Sequence, residues 1–392
     1  LYNTLVGALA GVALTDADTN VAFGNAAIRA DTLGSKTTAI GYQALTAQNF
    51  TTATDSFNTA VGYNAGLAVT TGTNNTLIGA QAGDSITTGN TNIAVGSLAL
   101  ATNVAGDRNT AVGYKALEDM NPSGNVDTYN TAFGFFAGTN VTTGVQNTLL
   151  GGLAGDAITT ANNNVAVGYG SLSGCQQGAL NVAVGVGALQ VANPSGAVDT
   201  YNTAVGFDAG NSVSTGIQNT IVGGLAGDAL TTQHNNTAVG YLALSAETNN
   251  NGNTALGSEA LKSQNVGGDG DARNTGVGQN AGTNITSGIF NTLIGGLSGS
   301  SLTDADRNTS VGMNALGSDT LGSKSTAVGQ SALFAQNFTT ATDSHNTAVG
   351  YNAGVAVTTG IRNTIVGAEA GDALTDADHN VALGFRALSG DI

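Results

Sequence analysis

The sequence predicts an all-β fold, a parallel β-solenoid or β-roll, on three observations: one short block repeats without a gap, its apolar residues alternate, and a glycine recurs at one fixed place in it. The block has the form Asn-Thr-Ala-Val-Gly and occurs 22 times, beginning at Asn3, Asn20, Thr37, Asn58 and onward to Asn363 and Asn380. The interval between copies is 17, except that the copies starting at 37, 109, 181, 253 and 325 have a length of 21. Three short coils and one long coil therefore make a superperiod of 72. Residues 1–392 read as one continuous array, with superrepeats beginning at 37, 109, 181, 253 and 325, and we expect it to be a stretch of a longer fibre. A repeat this short cannot hold two helices, and its alternation is that of a strand.

Composition agrees with this class. Gly is 58 of 392 residues, Pro only 2 and Trp absent, which suits a backbone that turns tightly and often around a thin core. The formal charge of −16 is thinly spread, so no basic patch for nucleic acid exists. No apolar run approaches the roughly 18–20 residues needed to cross a bilayer, and no membrane insertion is expected. The one cysteine, Cys175, reads as a small apolar filler.

Each coil position has its own constraint. Counting from the first residue of the block, position 5 is Gly in all 22 copies and position 8 is Ala in all but two, where Ser171 and Ser298 stand. That pattern predicts a corner only glycine can turn, followed by a site with room for a methyl group. Position 1 is Asn in 20 of 22 copies, which stacked coils would align into a hydrogen-bonded ladder. Position 2 is Thr, Val or Ile and position 4 is Val, Ile, Leu or Phe throughout, so positions 2 and 4 are expected to form the inner wall, with Val61, Val112 and Val205 inside.

Position 3 is then expected to face outward. It is Ala in 14 copies and Leu or Ile in six, Leu5, Leu77, Leu149, Ile221, Leu293 and Ile365, which recur with the superperiod. A strand apolar on both faces is buried on both. We therefore expect self-association, as a homotrimer, through positions 1, 3 and 5 with those six residues at the contact.

Blocks such as NTAVG, NVAVG and NIAVG followed by x-x-Ala resemble the repeats in the heads of trimeric autotransporter adhesins, and are similar to arrays in fibres of tailed bacteriophages. The resemblance implies a trimeric left-handed parallel β-roll at an outer surface, a cell surface or a virion appendage, whose role is attachment. The expected function is a structural extracellular fibre or adhesin shaft, with a phage tail fibre for host recognition as one alternative and an ice-binding solenoid as another.

No catalytic constellation stands out, and an enzyme is not expected. His234, His345 and His379 lie in turns and are replaced by other residue types in equivalent coils. The Asp-Ala-Asp turns, with Asp16 and Asp18, Asp304 and Asp306, and Asp376 and Asp378, could offer oxygens to Ca²⁺ but read as solvated turn residues, as does Gly-Asp-Gly-Asp at 268–271. No cofactor is expected. The long coils are the leading binding candidates, because their additional residues must bulge and they carry Phe50, Phe57, Pro122, Tyr129, Pro194, Tyr201 and Phe338. The expected partners are copies of the chain itself and a surface glycan or protein receptor.

Overall fold

A computed structural model of the chain describes residues 2–267 and 270–390. Gly268 and Asp269 of the predicted Gly-Asp-Gly-Asp turn lie outside the described residues. The fold is a parallel β-solenoid without helices, one coil per repeat, and among the described residues no helix is long and apolar enough to cross a membrane. The chain divides into two compact units, Leu1–Thr200 and Tyr201–Ile392. Each holds eleven block strands, every one as short as Thr4–Val6, running to Val182–Val184 in the first unit and from Thr203–Val205 to Val381–Leu383 in the second.

Strands pair in parallel and strictly in register. Thr59 lies beside Thr76, Ala60 beside Leu77 and Val61 beside Ile78, and the other described pairings within each unit follow the same rule. Like side chains therefore stack on like. Short as they are, the strands are sustained by neighbours on both sides: Thr59 N donates to the Asn75 carbonyl at 2.8 Å and Gly62 N to the Ile40 carbonyl at 2.8 Å.

Left-handed residues close the coil. In the coil from Asn58 to Asn74 they are Gly62 at φ 142°, Asn64 at 55°, Gly66 at 61° and Asn74 at 59°. Position 5 admits only glycine for two reasons. Its φ lies outside the range of other residues, and a methyl group on Gly79 would come within 2.5 Å of the Gly96 carbonyl oxygen in the next coil. Positions 7, 9 and the last of each coil take left-handed geometry even where they are Gln43, Leu45 or Phe57, a strain of about 1–2 kcal/mol per residue. Hydrogen bonds between coils hold them there, as when Gln43 N donates to the Asn25 carbonyl at 2.9 Å.

The strand faces are the reverse of the sequence expectation. Ala60, Ala111 and Ala204 at position 3 are fully buried inside the coil, as is Asn at position 1, whereas positions 2 and 4 point outward. Val61, Val112 and Val205 are half-buried between their stacked neighbours and do not belong to the core. Side-chain direction has period two, so assigning one position wrongly inverts every other. Asn decides it, because from inside the coil its Oδ1 meets the backbone N of the next Asn while its Nδ2 crosses the interior to a carbonyl, as Asn58 does to Gly72.

The six recurrent large residues change role accordingly. Leu77, Leu149, Ile221, Leu293 and Ile365 are 0% exposed in the interior of their own units and cannot be a contact between copies; Leu5, in the first coil, lies beside Gly11 but is 41% exposed. They compensate for size. A methyl group added to Gly138 would come within 2.6 Å of Leu149 Cδ1, and one added to Gly155 within 2.7 Å of Leu149 Cδ2, so one leucine fills the space left by glycine at position 9 of two coils. Where position 9 is leucine, as at Leu45, Leu100, Leu117 and Leu172, position 12 is Gln48, Asn103, Met120 and Cys175; where it is Gly66, Gly83, Gly138 and Gly155, position 12 is Val69, Ile86, Val141 and Ile158. The four-coil superperiod is thus a packing cycle in a core at fixed volume.

Candidate binding surfaces

Positions 2, 4 and 6 together make one outward face. Position 2 is Thr in 17 of 22 coils, position 4 is always Val, Ile, Leu or Phe, and position 6 is aromatic at Tyr42, Tyr63, Tyr114, Phe135, Tyr169, Phe207, Tyr241, Tyr351 and Phe385. Phe23 and Phe133 at position 4 are each 57% exposed. Rings at position 6 stack from coil to coil, Tyr42 on Tyr63 with centroids 5.5 Å apart and Tyr114 on Phe135 at 5.6 Å. Eleven coils at about 4.8 Å give each unit an apolar row at position 4 roughly 50 Å long, with threonine beside it at most coils and no Asp, Glu, Lys or Arg at positions 2, 4 or 6.

Within the coil, two ladders consume the polar groups that the sequence singled out. Asn58 Oδ1 accepts from Asn75 N at 2.9 Å, Asn75 Oδ1 from Asn92 N at 3.0 Å, and each Nδ2 crosses to a carbonyl at position 15, such as Gly72 O at 2.7 Å from Asn58. The expected ladder exists, but runs mainly from side chain to backbone. A second ladder uses position 16: Asp306 Oδ1 accepts from Ile289 N at 2.9 Å and Asp378 Oδ1 from Ile361 N at 2.7 Å. Asp304 accepts from Ser287 Oγ at 2.7 Å, and Asp376 from Thr375 Oγ1 at 3.2 Å. Asp16 is exposed, and the backbone N of Asp18 donates to Ser35 Oγ at 2.9 Å. Among the described residues no group of three or more metal-ligating side chains gathers.

The three histidines lie far apart in sequence and in different turns. His234 Nδ1 accepts from Ile217 N at 3.0 Å, His345 Nδ1 donates to the Asp343 carbonyl at 3.1 Å, and His379 Nε2 accepts from Arg362 at 3.2 Å. Cys175 is buried, which pushes its thiol up to about 11.

The long coils divide their aromatic and proline residues between two tasks. Phe50 and Phe338 are 4% and 5% exposed and lie over Gly34 and Gly322 of the preceding coil, and Pro122 and Pro194 cover Gly106 and Gly178 in the same way. These four are covers of the coil edge. Phe57, Tyr129 and Tyr201, at the last position of the long coil, are about half exposed. Lys36 lies over the Phe57 ring and pairs with Asp55 at 2.5 Å; Arg108 lies over Tyr129 and pairs with Asp127; Lys324 pairs with Asp343. Each such pair is exposed and screened by solvent, so it contributes little to stability.

Beneath these covers is a feature that the sequence reading missed. Asp31 is fully buried, and its Oδ1 accepts from Gly34 N at 3.0 Å and Phe50 N at 3.3 Å while Oδ2 accepts from Gln48 Nε2 at 2.6 Å. Gln48 Oε1 in turn accepts from Asn58 Nδ2 at 3.0 Å. The chain recurs as Asp319, Gln336 and Asn346, and as Glu247, Gln264 and Asn274. Burial pushes the Asp319 carboxyl above its ordinary range. The signal was present in sequence: an acid at position 12 of one coil is followed by Gln at position 12 of the next in all three cases.

No protein-family model matches the chain, and no curated protein matches it.

Proposed function

We propose that the chain is a structural shaft, an extracellular fibre or adhesin segment of a cell or a virion, in which copies associate through the outward face of positions 2, 4 and 6. The observation that carries this reading is the row of exposed and half-buried apolar side chains at position 4, present in every coil of each unit and joined by aromatic rings at position 6, a larger apolar surface than soluble monomers usually expose. Rotational symmetry covers such a surface on every copy at once, because identical faces meet about one axis. Three copies are the arrangement that the resemblance to adhesin heads implies. A shaft of this kind supplies reach and rigidity, and weak sites repeated along it gain avidity.

Replacing Val61 and Val112 by Asp tests the idea. The wild-type chain should sediment as a trimer at micromolar concentration, and the double variant as a folded monomer with unchanged circular dichroism. A stable wild-type monomer would refute association. Leu77→Asp is the control, since a charge placed inside the coil should unfold it and not merely separate copies.

A second reading is favoured by the threonines of position 2, which lie in register on the same face at about 4.8 Å intervals. Such a row suits an ordered water lattice. An ice recrystallisation assay on the V61D/V112D variant and the wild type separates the readings: activity in a wild-type monomer supports ice binding, and its absence in a trimer supports the shaft.

A further inference from the structure

Coil position 15 faces the interior and is occupied by small residues across most of the array, among them Gly72, Gly89, Gly144 and Gly360. A methyl group on Gly216 would already come within 2.4 Å of the Gln233 carbonyl oxygen. Gln233 stands at this same position one coil later, 3% exposed and carrying a full carboxamide. Its Oε1 accepts from Thr231 N at 2.6 Å, and its Nε2 donates to the Thr248 carbonyl and to Thr232 Oγ1 at 3.2 Å. The side chain is thereby wedged into the turn.

Beside that wedge a cleft of about 250 Å³ opens, lined by Thr215, Thr232, Gln233, His234, Asn249 and Asn251. Apart from Gln233, these residues are positions 14 and 16 of three consecutive coils. The lining residues are all of polar types, with no Asp, Glu, Lys or Arg among them, and they present carbon as well as polar atoms to the cleft. Ile217 N donates to His234 Nδ1, so the proton of the neutral imidazole resides on Nε2 as a donor. Glu247, the nearest buried carboxylate in sequence, is already engaged by Asn249 N at 2.8 Å, Asn250 N at 2.9 Å and Gln264 Nε2 at 2.8 Å.

We propose that this cleft binds a neutral saccharide. Hydroxyl groups that both donate and accept match the hydroxyls of Thr215 and Thr232, the carboxamides of Asn249 and Asn251 and the imidazole of His234, while the Gln233 carboxamide is engaged within the turn and shapes the wall. An ionic ligand would find no countercharge there, and the mixture of polar groups and carbon surface suits the hydroxyls and C–H faces of a sugar better than a purely apolar ligand. The volume lies below the roughly 300–1,000 Å³ of pockets for larger ligands, which suits one sugar unit. The cleft is on the turns, away from the strand face, so the proposal stands or falls separately from self-association.

Saturation-transfer NMR on the full chain tests it, with glucose, galactose, mannose and N-acetylglucosamine as neutral probes and sialic acid and glucose 6-sulfate as charged ones. At least one neutral sugar should receive saturation, and its affinity should fall about fivefold in the Thr215→Val variant, which removes an exposed hydroxyl that belongs to neither ladder and does not hold Gln233. Gln233→Gly, which restores the residue type of the preceding coil, should abolish the signal. No transfer to any neutral sugar, transfer to charged sugars alone, or undiminished transfer in the threonine variant would overturn the proposal. Circular dichroism on both variants confirms that a lost signal comes from the cleft, and if Gln233→Gly misfolds the threonine variant decides alone.

Discussion

Asn75 accepts at Oδ1 from the next coil and donates at Nδ2 across its own, a two-way use that explains why the residue recurs where a merely polar one would not. The same parity puts alanine inside and valine outside, against their ranking by hydrophobicity. Leu149 shows how tightly the interior is filled. Leu149→Ala should cost about 2–5 kcal/mol through the cavity it leaves, and Gly138→Ala about 1–3 kcal/mol through overpacking against Leu149. In the double variant the added methyl occupies part of the vacated space, so chemical denaturation should find the pair less destabilising than the sum by about 1 kcal/mol. Glycine at position 5 was legible in sequence because no other residue stands there. The left-handed geometry of Gln43 or Leu45 was not, since nothing in those residue types announces it and the cause is the neighbouring coil.

At the scale of the coil, the long repeats show that the buried acid and the loop above it are matched. Asp31 and Asp319 serve Phe50 N and Phe338 N, whereas Pro122 and Pro194 have no N–H, and beneath them stand Asn103 and Cys175, with Met120 and Ala192 in place of glutamine. An acceptor is present where a donor needs it. Asp319→Asn would leave Asn Nδ2 or Oδ1 mismatched against Gln336 Nε2 and Gly322 N, so amide hydrogen exchange over residues 337–343 should accelerate. Adding Gln336→Met recreates the Asn103 and Met120 pairing and should recover part of the protection; equal exchange in the single and double variants would show that the pairing carries no coupling. The bulge of these coils was readable from spacing alone. That Phe50 covers the coil edge and Phe57 does not was unreadable, because both are aromatic residues in one loop and only the stacked neighbour distinguishes them.

For the whole chain, charge and burial act in the same direction. The net charge is −16, and burial raises the carboxyls of Asp84, Asp156, Asp228 and Asp319 above their ordinary value of 3.8. A raised carboxyl binds its proton more tightly when folded, so its contribution to stability is fully present below the unfolded value and is lost as pH rises through the folded one. Lowering the pH also relieves repulsion among the acids. The unfolding midpoint in urea should therefore be higher near pH 4 than at pH 8, the reverse of ordinary acid denaturation; a midpoint that falls steadily on acidification would contradict the assignment. Coil number, register and the position of every block strand could be read before any coordinates, since in-register stacking is the only use so short a repeat has for identical blocks.

The register also determines how each unit bears a load. Hydrogen bonds between successive coils run parallel to the stacking direction, so tension applied along that direction meets them one coil at a time and never as a group in shear. A short coil that detaches lengthens the chain by roughly 55 Å, and a long coil by roughly 65 Å. Force spectroscopy on a single tethered chain should record a staircase of such steps at nearly constant force, with every fourth step the longer one. A single abrupt rupture would mean that the coils cooperate far beyond nearest neighbours. In the proposed role of a shaft, each unit would be stiff until a coil detaches and would then yield in small increments, so that a held object is not torn away by the first pull.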